Sequence, residues 1–402
     1  MAHFQLPFAA KLAIFAALAL AVQAGGPIAM GADANPRHWV DQLGSDSFHA
    51  RESASRSLVA ALVSDDVAKV VSNDQADAVP DDRATNARAA LHDGLANPVA
   101  EIRLACQDIL GRAEQIQLDR QIHRLKNLRT PPDHIDLVGW DSFSSLIGDD
   151  QISRDLFAKL SATFSKGISN RERMSTAVSQ WTRPNWDPYQ MSPDDELRWA
   201  MLIWMDVEDA RRQVQPLSSR ITMSLSNPSM GPNCDRDQQT GLQRLIGRWI
   251  ECQSHVSTSR THLIIAMRYE CIDQATWLCN RILADSSSSA SAEVTAMLAA
   301  SVLGPTHVAP DNLDAQLRRR LSDHRTSHVW QAMNNPATRI QTQVRDVAIA
   351  LLLRDRGIDP RDVGFAELQA DQLFVYRDHS LGFGNEASRQ AAHEIATTLI
   401  NP

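Results

Sequence analysis

Three aromatic residues, Trp181, Trp186 and Tyr189, lie close together with Arg183, Pro184, Asp187 and Pro188 among them. Rings on a loop stiffened by proline are preorganised to stack on a sugar or a peptide, which lowers the entropic cost of binding. The same rings can instead fold back and pack against Trp199 and Trp204. His324 and His328 stand four residues apart, a spacing that puts two imidazoles on one helix face as metal ligands. Asp323 would point about 100° away on that helix, and the alternative is a solvated face beside Arg325. Cys252, His255, His262 and Cys271 carry zinc-type donors, although exported cysteines more often oxidise or stay buried. Asn233, Asp235 and Asp237 alternate as in a calcium loop, but Gln238 stands where the turn needs Gly and Arg244 where the loop needs its closing acid. Arg318 to Arg320 is the one dense basic run, placed to cap a helix C-terminus or to pair with Asp311 and Asp314. The chain has no His-Glu-x-x-His, Gly-x-x-x-x-Gly-Lys, Gly-x-Ser-x-Gly or Cys-x-x-Cys. No catalytic residue and no cofactor are therefore expected.

The chain that must position these residues has 402 amino acids, 43% of them apolar, and a net charge of -8. That apolar content excludes disorder, and the acidic balance argues against nucleic acid, whose binding rests on cations neutralising phosphates. Met1 to Lys11 holds one Lys and no acid, Leu12 to Val22 is wholly apolar, and Val22-Gln23-Ala24 offers small residues before a cut. This reads as a secretory signal peptide over 1–24. The apolar run would rise about 17 Å as a helix, against a hydrocarbon core of about 30 Å, so a retained membrane anchor is the lesser alternative. The expected location is the periplasm or the exterior. Export permits disulfides, and of the five cysteines Cys106 falls on an apolar helical stripe. Cys271 and Cys279 on one helix would be about 12 Å apart, too far to bridge. Helices over Gly241 to Gln253 and Thr261 to Ala284, turning near Val256, bring Cys234 opposite Cys279 as the expected pair. The competing expectation is that all the thiols are buried and reduced.

Apolar periodicity is helical almost everywhere and strand-like almost nowhere. Ile102, Ala105, Cys106, Ile109, Leu110 and Val344, Val347, Ala348, Leu351, Leu352 each trace one buried helix face, and Ala50, Ser53, Ala54, Ser57, Leu58 repeats the register more weakly. In each window Arg follows the first stripe residue: Arg51, Arg103 and Arg345. Asn35-Pro36, Asn97-Pro98 and Ser192-Pro193 mark helix starts, a capping residue before Pro in the first turn. Pro-rich breaks at Thr130 to His134 and Thr182 to Pro193 divide the chain. The expected organisation is a linker over 25–35, an N-terminal helical domain over 36–130, a connecting segment over 131–190 and a C-terminal helical repeat domain over 191–402. Short helices with one apolar stripe must stack to bury it, so the expected fold is all-α, an α-solenoid of stacked antiparallel helix pairs.

The Arg register, fronted by Asp46-Ser47-Phe48-His49-Ala50-Arg51-Glu52-Ser53-Ala54, resembles HEAT-like repeats at the start of exported proteins of planctomycete bacteria. Gly139-Trp140, Phe143, Leu146, Gly148-Asp149-Asp150, Arg154 and Leu156-Phe157 resemble a central block of one such family. Gln343 to Ala348, Asp359-Pro360, Gly364-Phe365 and Leu381-Gly382-Phe383 resemble its C-terminal block. The likeness implies an exported all-helical protein and transfers no catalytic residue. The Arg positions lie 52 and 242 residues apart rather than at a period of about 40 to 47, so the repeats are degenerate. The function expected from this is a non-catalytic interaction or scaffold protein that holds another exported or cell-envelope protein. The alternatives are a polysaccharide-associated module using Trp181, Trp186 and Tyr189, and an enzyme of unrecognised type.

Overall fold

The computed structural model describes residues 35–71, 82–127, 137–168, 193–211, 218–226, 236–253, 259–304, 313–332 and 335–400. The expectations for the signal peptide, for Trp181, Trp186 and Tyr189, and for Cys234 and His255 lie outside these residues. What is described is predominantly helical, with fifteen α-helices and a single two-stranded sheet, and none of its helices is long and apolar enough to cross a membrane. The chain divides into two compact units, Met1–Gln121 and Ile122–Pro402.

The first unit is built from α1 (Pro36–Gln42), α2 (Phe48–Val71), α3 (Asp82–Gly94) and most of α4 (Ala100–Asn127). The Asn35 side chain accepts the Arg37 N–H ahead of Pro36, so the first expected helix start is a capped one. The Asn97 side chain likewise accepts the Val99 N–H just before α4. Trp39, Leu58, Leu62, Leu91, Ile102, Cys106 and Ile109 belong to the core, which takes in the Ile102 stripe but only Ala54 and Leu58 of the weaker one, whose Ser53 is exposed. The paired arginines have a common local role. Arg51 donates to the Ser45 carbonyl at 2.5 Å and Arg103 to the Asn97 carbonyl at 2.6 Å, each reaching six residues back to tie down the turn before its helix.

The second unit opens with α5 (Trp140–Ile147), α6 (Gln151–Ile168) and α7 (Pro193–Arg211), followed by α8 (Ser218–Leu225), α9 (Arg236–Cys252), α10 (Ser259–Arg268) and α11 (Ile272–Ala284). The Gly-Trp-x-x-Phe block is the aromatic core of this unit: Phe143 lies 5.1 Å from Phe157 and 5.3 Å from Trp204, ring to ring. Gly148 ends α5 at a φ of 95°, a backbone region that favours glycine. Asp150 then accepts the Ser153 N–H and pairs with Arg244 at 2.6 Å, holding α6 to α9. The single helix expected over Thr261 to Ala284 is broken. Glu270 adopts a φ of 54° and the Cys271 N–H closes onto the Ala266 carbonyl, which ends α10 and restarts the chain as α11.

Next come α12 (Ala290–Leu303), α13 (Leu313–Arg319), strands β1 (Thr326–Ala332) and β2 (Asn335–Gln343), α14 (Val344–Asp355), two 3-10 turns (Pro360–Val363 and Asp378–Leu381) and α15 (Glu386–Ile400). Helix α12 starts at a Ser289 cap and is buried through Ala292–Ala300, so it is wrapped on all sides by α10, α11, α13, α14 and β1. Its one acid, Glu293, is buried and pairs with Arg320 at 2.5 Å and with Arg325. Of the basic run, Arg318 pairs with Asp314 as expected, whereas Arg320 turns inward to Glu293 and the Leu283 carbonyl.

The hairpin corrects the sequence reading of His324 and His328. They do not share a helix: His324 is exposed ahead of β1, and His328 lies within β1 opposite Thr342. Strand β1 holds Thr326, Val329 and Trp330, types suited to a pleated surface, in a run too short to show a period. The Leu381-Gly382-Phe383 block now has a physical reason. Phe383 exchanges both backbone hydrogen bonds with Gln341, and a Cβ on Gly382 would fall 2.4 Å from the Gln341 carbonyl oxygen.

Candidate functional site

Two clusters of ionisable side chains are assembled in the second unit from stretches far apart in sequence. The first centres on Asp346, whose side chain is fully buried in the first turn of α14. Asp346 follows Gln343 by three residues and completes a capping box by accepting the Gln343 N–H at 2.8 Å. Its carboxylate also accepts from Arg389 Nε at 3.1 Å and meets His393 Nε2 at 3.0 Å, both reaching over from α15. The buried Arg389 guanidinium is completed by Glu386 and by the Gln341 carbonyl, and its carbon sits 5.6 Å from the Phe383 ring centroid. Arg345 pairs with Glu386 at 2.6 Å. Burial raises the Glu386 carboxyl, but hydrogen bonds from Arg345 and Arg389 outweigh it and leave the group below its ordinary value. Beside this cluster runs an open groove of about 810 Å³ bordered by Arg345, Glu386, Gln390, His393, Glu394 and Thr398. Acceptor by acceptor, Asp346 is spent on holding α15 to α14 and β2, so the cluster positions elements and presents no free carboxylate.

The second cluster is where His328 belongs. Its Nε2 lies 3.3 Å from Asp378, which also takes Arg260 from α10 at 2.8 Å and His379 Nδ1 at 3.4 Å. Arg260 is steadied by Thr295 of α12, and the His379 ring meets Trp330 edge-on at 5.3 Å. Burial raises the Asp378 carboxyl, yet His328 and Arg260 beside it hold the group below its ordinary value. Sequence reading had singled out His328 but not Arg260, Asp378 or His379. Their sequence separation of up to 118 residues leaves no local signal. Arg389 and His393 stand four apart and so share one face of α15, but nothing local points that face at Asp346.

The remaining candidates are dispersed. His262 is buried edge-on to Trp249 at 5.3 Å, and burial pushes its pKa down to about 4. The Cys271 thiol donates to the Gln243 carbonyl, and the Cys279 thiol lies 3.7 Å from the Ala296 carbonyl. Burial pushes each pKa up to about 12, which keeps both protonated and unreactive. Cys279, the expected partner of Cys234, carries a free thiol here, while Cys234 itself lies outside the described residues. Among the described residues no group of three His, Cys, Asp or Glu side chains could hold a metal ion. Compared with protein-family models, with curated proteins and with solved structures, the chain matches none.

Proposed function

We propose that this chain is an exported, non-catalytic interaction protein, a solenoid of degenerate HEAT-like helices that presents a surface to another exported or cell-envelope protein. The observation that carries the reading is how the second unit spends its chemistry. The buried charges around Asp346, Asp378 and Glu293 close on one another and on backbone groups to fasten one element to the next, while large apolar side chains stay in solvent. On α11, Ile272 and Trp277 are 39% and 42% exposed, with Arg281 stacked 5.4 Å from the Trp277 ring. A half-exposed Trp flanked by Arg has the composition of an interface anchor. In support of stacking, α10 packs on α11, α11 on α12 and α14 on α15, while α9 packs chiefly on α7 and α6 and α12 also on α14.

The test is affinity capture of the tagged full chain from the envelope fraction of its native cells, run in parallel with Trp277→Glu. A partner retained by the parent and lost by the variant supports the reading, provided both have the same melting temperature. Capture that recovers the same proteins with both chains, or none with either, refutes it.

A further inference from the structure

We propose that His328 is a pH-responsive latch: its neutral ring clips the β-hairpin to the 3-10 turn Asp378–Leu381, and acidification releases the clip. The hairpin has only two strands, an arrangement that is marginal in water unless something packs on it, and beyond the Phe383 pairing at Gln341 and the face of α12 it leans on that turn. Three contacts tie it to that turn: His328 to Asp378, Trp330 to His379, and the Thr342 hydroxyl donating to the His379 carbonyl at 2.9 Å.

The protonation state follows from the partners. An ionised carboxylate repels a lone pair, so the nitrogen 3.3 Å from Asp378 is the one that carries the hydrogen. A neutral His328 therefore carries its hydrogen on Nε2 and a lone pair on Nδ1. That Nδ1 is buried and has no hydrogen-bond partner. A second proton must settle there, away from water and with no acceptor, which is an expensive position for charge. The surroundings add to the cost. From α10 comes the Arg260 guanidinium, and from the turn come Asp378 and His379. Helix α12 offers only Glu293, already held by Arg320 and Arg325, and the charged residue of β2, Arg339, stands opposite Gln331. Burial, aided by Arg260 and His379, outweighs the pull of Asp378 and lowers the His328 pKa below its ordinary 6.5. Folded hairpin thus binds fewer protons than released hairpin. The sign is fixed by that difference: the latch is at full strength above pH of about 6.5 and weakens as pH falls through the lower, folded value. Release exposes Trp330 beside Val329, which is already 45% exposed.

Hydrogen exchange on the full chain at pH 7.5 and 5.0, corrected for intrinsic rates, reads the latch directly, with α14 amides as the control for global loosening. Exchange over 326–332 and 335–343 should accelerate several-fold more than in α14 at the lower pH. His328→Gln keeps a donor for Asp378 but cannot titrate, and it should abolish the excess. Equal acceleration in hairpin and α14, or an acid response that survives in His328→Gln, overturns the proposal. If His328→Gln does not form the hairpin, the imidazole titration of His328 in the parent chain decides: a pKa below 6.5 supports the latch and one at or above it refutes it.

Discussion

Replacing Asp346 by Ala should loosen the docking of α15 more than any apolar truncation on that helix. The residues α15 buries are Arg389, Ala392, Ala396 and Ile400. Three of these four supply little or no large apolar surface, and full burial of the Ile is worth about 1.5 to 3 kcal/mol. Asp346→Ala leaves the Arg389 guanidinium, 3% exposed in its side chain, with only the exposed Glu386 carboxylate and the Gln341 carbonyl as partners. Breaking such a pair costs about 3 to 5 kcal/mol, a range that already takes in much of the smaller loss of the capping box. The assay is denaturant-dependent hydrogen exchange of α14 and α15 amides in the full chain, within a double-mutant cycle that includes Arg389→Met. Arg389→Met alone removes the buried cation but leaves the carboxylate with only His393 and the Gln343 N–H. With both changes no uncompensated charge remains, so the double variant should be much nearer the parent than the two single costs together imply, with a coupling of at least about 2 kcal/mol. Additive costs, or an Asp346→Ala cost under about 1 kcal/mol, would refute the view that this cluster fastens α15.

Acid should destabilise the second unit through His262 as well. With a folded pKa of about 4 against 6.5 unfolded, its contribution is complete above pH 6.5 and is lost progressively as pH falls toward 4, about 3 kcal/mol in all. Denaturant midpoints measured across that range should fall in the parent and stay flatter in His262→Gln. Gly382→Ala should cost about 1 to 3 kcal/mol by forcing Cβ against the Gln341 carbonyl, seen as a lower melting temperature with the Gln341 amide losing exchange protection. In the first unit a Cβ on Gly94 would sit 2.5 Å from Cys106 Sγ. Gly94→Ala should therefore lower the melting temperature, and adding Cys106→Ala should restore part of it; no restoration would mean that the contact does not decide the cost.

The amino-acid order by itself determined the all-helical character, because a stripe every three to four residues and an Asn-Pro start are short-range signals that the chain reads locally. Ile102, Cys106, Ile109 and Val344, Val347, Ala348 are buried as their spacing requires, and Asn35 caps where its type predicts. Local signals stop where two outcomes cost nearly the same over a few residues. The span from Thr326 to Gln343 has no helical stripe of its own, and pairing across the hairpin, closed against Phe383, chose strand. Tyr269 to Cys271 reads as helix, yet the close packing of α10, α11 and α12 puts Glu270 in a left-handed break. The ionic clusters belong wholly to the tertiary structure. Arg260 and Asp378, or Asp346 and His393, have no reason to meet until the helices between them are packed, since the free energy that pairs them comes from excluding water at that point in space.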